Sequence, residues 1–282
     1  MDAVLLALCS AFLFGAMTVA LRGPTARGGD PLVGALLTVV PALGVALAAA
    51  VLRGGWDLAG VWPFLLAGVL GPGVSQTLFT FAVRDAGPSR TSATVGMAPL
   101  AAVTFAVVLL GEPLVAGVAV GALLVVGGGV LLASERSRPA HVRRIGLVLA
   151  FSAMVVFALR DTFVRWLSAD TGVTPELAVT ATLASGAATI LVTILVLRRP
   201  LSTAGVLPFL PAGLLFGLSY VCLFEAVYRG RLSVVAPLVA TEALWGVLLS
   251  ALLLRRHEAV GPRLLAGAAL VVAGGVLIGV FR

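Results

Sequence analysis

Ten long apolar runs occupy most of the 282-residue chain and constrain its fold more than any other feature. A bilayer core is about 30 Å thick, so a helix needs roughly 20 apolar residues to cross it. Because 60% of the residues are hydrophobic and only 11% are charged, the chain has too little polar surface to cover a soluble globule. The sequence therefore predicts an all-α integral membrane protein with ten transmembrane helices, spans 1 to 10, near residues 3–21, 32–52, 61–83, 91–110, 114–133, 145–167, 175–197, 204–227, 232–254 and 264–281.

The remaining residues form short connections that leave no room for a soluble domain. The net charge of +7 comes from arginines, which cluster at the ends of the runs as interfacial anchors, so we expect no nucleic-acid partner. His141 and His257 lie in different connections, and Cys9 and Cys222 lie inside spans, which predicts neither a metal site nor a disulfide framework. Motifs of enzymes and of phosphate-binding loops are missing. We therefore expect no catalytic residue, no cofactor and no enzyme.

An internal repeat divides the chain into two halves. GALLVVGGGVLL (121–132) matches GAALVVAGGVLI (267–278) at an offset of 146 residues, and 81–100 matches 225–244 at an offset of about 144. Because five spans is an odd number, the second half must enter the membrane from the opposite face. This predicts inverted repeats with a pseudo-two-fold axis in the membrane plane, an architecture typical of secondary transporters. The predicted repeats are residues 1–134 and 145–282.

Glycines in spans 5 and 10 have the spacing that allows two helix backbones to approach closely in lipid. Gly117 and Gly121 are four residues apart in span 5, and Gly275 and Gly279 are four apart in span 10. We expect both pairs to serve helix packing.

One segment carries a family resemblance. GMAPLAAVTFAVVLLGEPL (96–114), with Pro99 and the LLGE element at 109–112, resembles the EamA family of the drug/metabolite transporter superfamily. In the second half LLRRHEAV (253–260) replaces LLGEPL. Pro99 is expected to interrupt its helix and to free a carbonyl group for a cavity.

The resemblance implies a ten-helix exporter of small organic metabolites, such as amino acids or amphipathic compounds, with a central cavity between spans 1, 3 and 4 and spans 6, 8 and 9. Alternating access, protons as a candidate coupling ion, and a monomer in the bacterial inner (plasma) membrane are the corresponding expectations. It also implies cytoplasmic termini, whereas the arginine distribution, five on that face and thirteen on the other, favours the reverse orientation. A flippase for lipid-linked substrates and a non-transporting membrane sensor or assembly partner are the alternatives.

Glu242 is the most informative polar residue, since it lies inside the apolar run of span 9. A charged side chain at the centre of a membrane helix costs about 2.5–3.5 kcal/mol on insertion scales. At 1.5 Å per residue, Arg160 of span 6 lies at nearly the same depth, so we expect Glu242 either to pair with Arg160 or to be protonated as the switch of a proton-coupled carrier. In the first half Ala98 or Pro99 takes its place.

Other polar or aromatic residues complete the predicted site. Trp245, one turn from Glu242, would stack on a substrate or fill lipid-facing space. Asp161 and Glu225 each precede an arginine by four residues, Arg165 and Arg229, so surface ion pairs compete with a role in the site. The predicted substrate- and ion-binding set is Glu242, Arg160, Tyr220, Trp245, Gln76, Asp161 and Glu225.

Overall fold

The structure, a computed structural model, describes residues 2–25, 30–86, 91, 94–133, 144–200, 206–254 and 262–281. His141, His257 and most of the 253–260 segment lie outside these residues. Regular structure in the described part of the chain is helical. The helices are α1 (Ala3–Thr25), α2 (Pro31–Arg53), α3 (Trp62–Gly68), α4 (Ser75–Ala86), α5 (Ala98–Leu110), α6 (Ala116–Ala133), α7 (Arg144–Ser168), α8 (Pro175–Val196), α9 (Leu210–Arg229), α10 (Leu232–Val239), α11 (Glu242–Leu254) and α12 (Pro262–Phe281).

Six helical segments in this part of the chain are long and apolar enough to cross a membrane, and they coincide with spans 1, 2, 3, 6, 7 and 8. Spans 4, 5, 9 and 10 correspond to shorter apolar helices. The long segments are Ala3–Leu21, Pro31–Arg53, Trp62–Ala86, Arg144–Ser168, Pro175–Val196 and Leu207–Arg229, and the shorter ones are Ala98–Leu110, Ala116–Leu131, Leu232–Gly246 and Ala266–Phe281.

The two halves begin their second helix in the same way. The Asp30 side chain accepts a hydrogen bond from the Leu32 amide of α2, and the Thr174 side chain accepts one from the Leu177 amide of α8. In both cases a proline follows the capping residue, and proline fits the first helical position because its missing N–H would be unpaired there.

Glycine contacts join α6 and α12 along their length in an antiparallel arrangement. A Cβ atom placed on Gly128 would lie 2.6 Å from the Gly267 carbonyl oxygen, and one on Gly274 would lie 2.5 Å from the Gly121 carbonyl oxygen. The two contacts are equivalent, because Gly128 corresponds to Gly274 and Gly121 to Gly267 at the 146-residue offset. Only glycine permits this approach, since any side chain would force the helices apart.

A second pair of contacts shows the same exchange. Gly213 of α9 faces the Thr38 carbonyl oxygen of α2, where an added Cβ would lie 2.7 Å away, and Gly68 of α3 faces the Thr182 carbonyl oxygen of α8. The residues correspond at offsets of about 144. Reciprocal contacts of this kind, with α6 antiparallel to α12, are those expected of two copies related by a two-fold axis perpendicular to those helices.

The glycine prediction is correct for one helix and wrong for the other. Gly117 and Gly121 of α6 contact Phe281 and Ile278 of α12, whereas an added Cβ on Gly275 or Gly279 would have no atom of the described residues within 4 Å. The glycines of α12 that meet α6 are Gly267 and Gly274, which lie seven residues apart, like Gly121 and Gly128. Seven residues is two helical turns, so this pair shares one face.

Several apolar segments are interrupted midway. Gly71 between α3 and α4 has extended backbone angles, φ −152° and ψ 123°. Turns at residues 96–97 and 240–241, equivalent positions in the two halves, precede α5 and α11. The break therefore lies before Pro99, which falls in the first turn of α5 and removes no intrahelical hydrogen bond. The predicted interruption of the helix at Pro99 is therefore present, and the freed carbonyl group stays a prediction.

Interfaces between the halves also bury small polar groups. The Ser219 hydroxyl of α9 donates to the Ser10 carbonyl oxygen of α1 at 2.9 Å. The thiols of Cys9 and Cys222, on the same two helices, are free and lie 3.8 Å apart.

Replacing Gly128 by alanine tests the close packing of α6 on α12. We expect Gly128→Ala to lower the free energy of unfolding by about 1–3 kcal/mol, because the new methyl group overlaps the Gly267 carbonyl. Gly127→Ala is the matched control, since that position has open space and alanine favours a helix over glycine by about 1 kcal/mol. Thermal unfolding in detergent measures both, and equal melting temperatures would contradict the packing.

Candidate functional site

Arg160 lies buried against the break between α3 and α4, with 4% of its surface exposed. A Cβ atom on Gly71 would lie 3.4 Å from Arg160 Nε and 3.0 Å from Ser75 Oγ. The extended glycine thus leaves room for the guanidinium group. Arg160 Nε lies 3.1 Å from Asp161 Oδ1, so a neighbouring carboxylate balances its charge.

Tyr220 of α9 also packs against Arg160. The Arg160 guanidinium carbon lies 5.2 Å from the centre of the Tyr220 ring, a distance at which a cation and an aromatic face attract each other. Phe216, 4.5 Å between ring centroids, and Phe224, 6.1 Å, flank the tyrosine on the same helix. The site therefore combines one cation with a column of aromatic rings.

Hydrogen-bonding capacity in this site is left unused. Arg160 Nη1, Arg160 Nε and Ser75 Oγ are buried and have no hydrogen-bond partner in the described part of the chain. The Asp161 oxygen is near Nε but off the N–H direction, so the two form an ion pair without a hydrogen bond. A buried donor without a partner costs about 1–3 kcal/mol, which an acceptor group of a bound molecule would offset.

Glu242 is the first residue of α11, immediately after the turn at 240–241. It lies close enough to Asp161 and Tyr220 to interact with both electrostatically. The partner of Arg160 is Asp161 rather than the predicted Glu242, because the carboxylate of Asp161, the next residue in the chain, lies beside the guanidinium group. Glu242 instead places a second carboxylate beside the pair, at a helix N-terminus where the helix dipole favours negative charge.

Two predicted ion pairs along single helices have opposite outcomes. Arg229 Nη2 lies 2.5 Å from Glu225 Oε2, which confirms the i,i+4 pair. The Asp161–Arg165 pair is wrong, because Arg165 contacts Glu112 at 3.2 Å and donates to the Val227 carbonyl oxygen at 3.0 Å.

Trp245 and Gln76 are the last two predicted residues, and their roles in binding stay predictions. Trp245 packs edge-on against Phe12 of α1, with 5.4 Å between ring centroids. Gly15 allows α1 to approach there, since an added Cβ would lie 2.7 Å from Trp245 Cβ. Gln76, next to Ser75, is half-buried. Arg160, Asp161, Tyr220 and Glu242 thus form one group, and Trp245 serves the α1–α11 contact.

Glu112, at the end of the LLGE element, has a role that the sequence analysis did not assign. Its carboxylate accepts hydrogen bonds from the Leu232 and Ser233 amides, both at 2.9 Å, and from the Ser233 hydroxyl at 2.7 Å. It thereby caps the N-terminus of α10, where unpaired amides and the helix dipole favour an anion. A residue of the first half thus holds a helix of the second.

The glycine of LLGE explains how the carboxylate reaches α10. Gly111 has left-handed backbone angles, φ 67° and ψ 21°, which end α5 and turn the chain. The element therefore works as a unit, in which glycine supplies the turn and glutamate supplies the cap. The LLGE motif marked Glu112 in the sequence. It did not indicate the partner of Glu112, because the start of α10 lies 120 residues away.

Removing the Glu112 carboxylate should weaken the contact between the halves. We expect Glu112→Ala to lower the free energy of unfolding by about 2–4 kcal/mol, because it leaves the buried Leu232 and Ser233 amides without an acceptor and removes the carboxylate partner of Arg165 Nε. Asp57→Ala, which removes a single loop hydrogen bond to the Gly60 amide, is the control and should cost about 1 kcal/mol. Thermal unfolding that ranks the two variants in the opposite order would contradict the cap.

Comparisons with known proteins agree with this architecture. The model of the EamA-like transporter family matches residues 1–134 and 144–280, one match in each half. A solved structure titled "Crystal structure of protein" shares the fold, with a TM-score of 0.84 and 20% identity, over 99% of this chain and 96% of that one. No curated protein matches the sequence. With both halves matched, the chain belongs to the EamA-like transporter family of the drug/metabolite transporter superfamily and is a multi-pass membrane transporter.

Proposed function

We propose that the protein is a secondary active transporter that exports small organic metabolites, such as amino acids or amphipathic compounds, by alternating access. Its ten spans would form two inverted five-helix repeats, residues 1–134 and 145–282. The single observation that carries the proposal is the buried group of Arg160, Asp161, Tyr220 and Glu242 beside the helix breaks of an apolar bundle. Ionisable residues at such positions are costly and usually mark a substrate or ion pathway.

A carboxylate is the substrate group that fits the arginine site best. The unpartnered Arg160 Nη1 and Ser75 Oγ would donate to it, and hydrogen bonds from arginine to a carboxylate are short and strong. The half-helices α5 and α11 begin at equivalent turns inside their spans, and N-termini of this kind attract anions in transporters built from broken helices. The aromatic column of α9 would contact an apolar part of the substrate.

Glu242 would be the coupling residue. Arg160 balances one of the two carboxylates in the group, so Asp161 and Glu242 together leave one negative charge without a cation in this group. An uncompensated charge in a low-dielectric interior is costly. A proton on Glu242, or an ammonium group of the substrate beside it, would remove that cost, and exchange between the two would couple substrate movement to a proton gradient.

The contacts between the halves suggest how the site would change its exposure. Glu112 and Arg165 join the end of α5 to the end of α7 and the start of α10, on the face where α9 also ends. We take this face as the closed one. Opening would separate Glu112 from α10 and form corresponding contacts on the opposite face.

Replacing Glu242 by glutamine should weaken the coupling of substrate flux to the proton gradient. In proteoliposomes loaded with a radiolabelled panel of amino acids and amphipathic compounds, we expect Glu242→Gln to lower pH-gradient-driven flux on the order of tenfold, equivalent to about 1.4 kcal/mol. Asp57→Asn, a loop carboxylate, is the control. A Glu242→Gln variant that transports like the parent with the same pH dependence would rule out the coupling role.

Replacing Arg160 by glutamine should weaken the binding of substrates that carry a carboxylate more than the binding of substrates that lack one. We expect Arg160→Gln to raise KM about 10–100-fold for carboxylated substrates, the loss of one or two charged hydrogen bonds, and to change KM little for the corresponding amides. The parent and the variant are compared on acid–amide pairs in the same proteoliposome assay. An equal rise in KM for both members of a pair would exclude a carboxylate contact at Arg160.

A further inference from the structure

A second buried carboxyl pair lies away from the arginine site, where α8 begins and α9 ends. Glu176 is in the first turn of α8 and Glu225 is four residues before the end of α9. Their exposed fractions are 7% and 8%. The two carboxyl groups lie close enough to interact as a side-chain pair. Two carboxylates in such contact repel strongly unless a proton or another cation lies between them.

The groups around the pair indicate where a proton would reside. Arg229 forms its ion pair with Glu225 and balances the charge of that carboxylate. Glu176 Oε2 is buried without a hydrogen-bond partner within the described ranges, as expected if its neighbour is a carboxylate that cannot donate. A proton on Glu176 would let it donate to Glu225 and would satisfy both groups.

Charged and titratable groups on each neighbouring helix face this pair. Arg53 at the end of α2 interacts with Glu176, and Cys222 of α9 interacts with Glu225. Tyr228, also on α9, faces Glu176, and its hydroxyl is buried without a partner in the part of the chain that the structure describes. On α3 the neighbour is the apolar ring of Phe64, stacked on Tyr228. Arg229 balances Glu225, and Arg53 is exposed at the end of α2, so one proton on Glu176 would neutralise the remaining buried carboxylate.

We infer that Glu176 and Glu225 form a proton-binding site separate from Glu242, which holds one proton while this face of the transporter is closed. The proton resides on Glu176 and is donated to Glu225. When α8 moves away from α9, both carboxyl groups meet water and the proton leaves. Opening of this face is thereby linked to proton release. The link to opening rests on the proposed transport function, whereas the bound proton does not.

Infrared difference spectroscopy detects the proton directly, through the C=O stretch of a protonated carboxyl group. Purified full-length protein in lipid nanodiscs is compared between acidic and alkaline buffer without substrate. We expect the parent protein to show a buried protonated carboxyl that Glu176→Gln removes and Glu225→Gln shifts in frequency. Asp57→Asn and Glu242→Gln should retain this band, and size-exclusion elution establishes that each variant is folded.

Two outcomes would overturn the inference. One is a band that stays unchanged in both Glu176→Gln and Glu225→Gln, which would mean that this pair holds no proton. The other is loss of the band on adding Na⁺ at constant pH, which would assign the pair to a metal cation. The infrared experiment contains no substrate. If the band behaves as expected but the protein transports none of the tested compounds, the proposed function is contradicted and the proton-binding site is not.

Discussion

Inside a bilayer every backbone N–H and C=O group needs a partner within the protein, and this constraint decides where a membrane helix can break. The breaks at Gly71 and at residues 240–241 lie within the bundle, beside Arg160 and Glu242 respectively. They create the polar positions that continuous helices would not offer. The close glycine contact of α3 with α8 in turn holds one broken helix against its neighbour. The chemistry of the site thus depends on packing that surrounds each break with protein.

The scaffold is duplicated, but its ionisable chemistry is not. Glycine contacts repeat in the two halves, whereas Glu242 opens α11 at the position where Ala98 opens α5. The fold therefore forms with alanine at this position and does not require a carboxylate there. Retention of Glu242 beside the Arg160–Asp161 pair is consequently better explained by binding or coupling than by folding. Glu112 differs in this respect, since its hydrogen bonds hold α10 directly.

The sequence predicted features that depend on local periodicity or on repetition. The offset of 146 residues relates the two glycine contacts of α6 with α12, but the pair predicted for span 10, Gly275 and Gly279, does not make them. The i,i+4 spacing predicted the Glu225–Arg229 pair. Contacts between distant helices were not predictable in this way. The predicted Arg160–Glu242 pair was based on the depth of each residue along its helix. Depth does not specify the direction in which a side chain points, and Asp161 competes for the same arginine. The Glu112–Ser233 contact joins segments far apart in the chain, so no local pattern specifies it.

The central claim is that the site beside Gly71 binds the transported molecule, and labelling of Ser75→Cys in a Cys9→Ser/Cys222→Ser background tests it most directly. The Ser75 hydroxyl lies at this site without a hydrogen-bond partner in the described residues. The measurement is the rate at which a membrane-impermeant maleimide modifies the introduced thiol in proteoliposomes, with and without a saturating transported substrate. We predict that the thiol is modified through water during the transport cycle and that substrate slows the reaction. A rate that saturating substrate leaves unchanged would contradict the account.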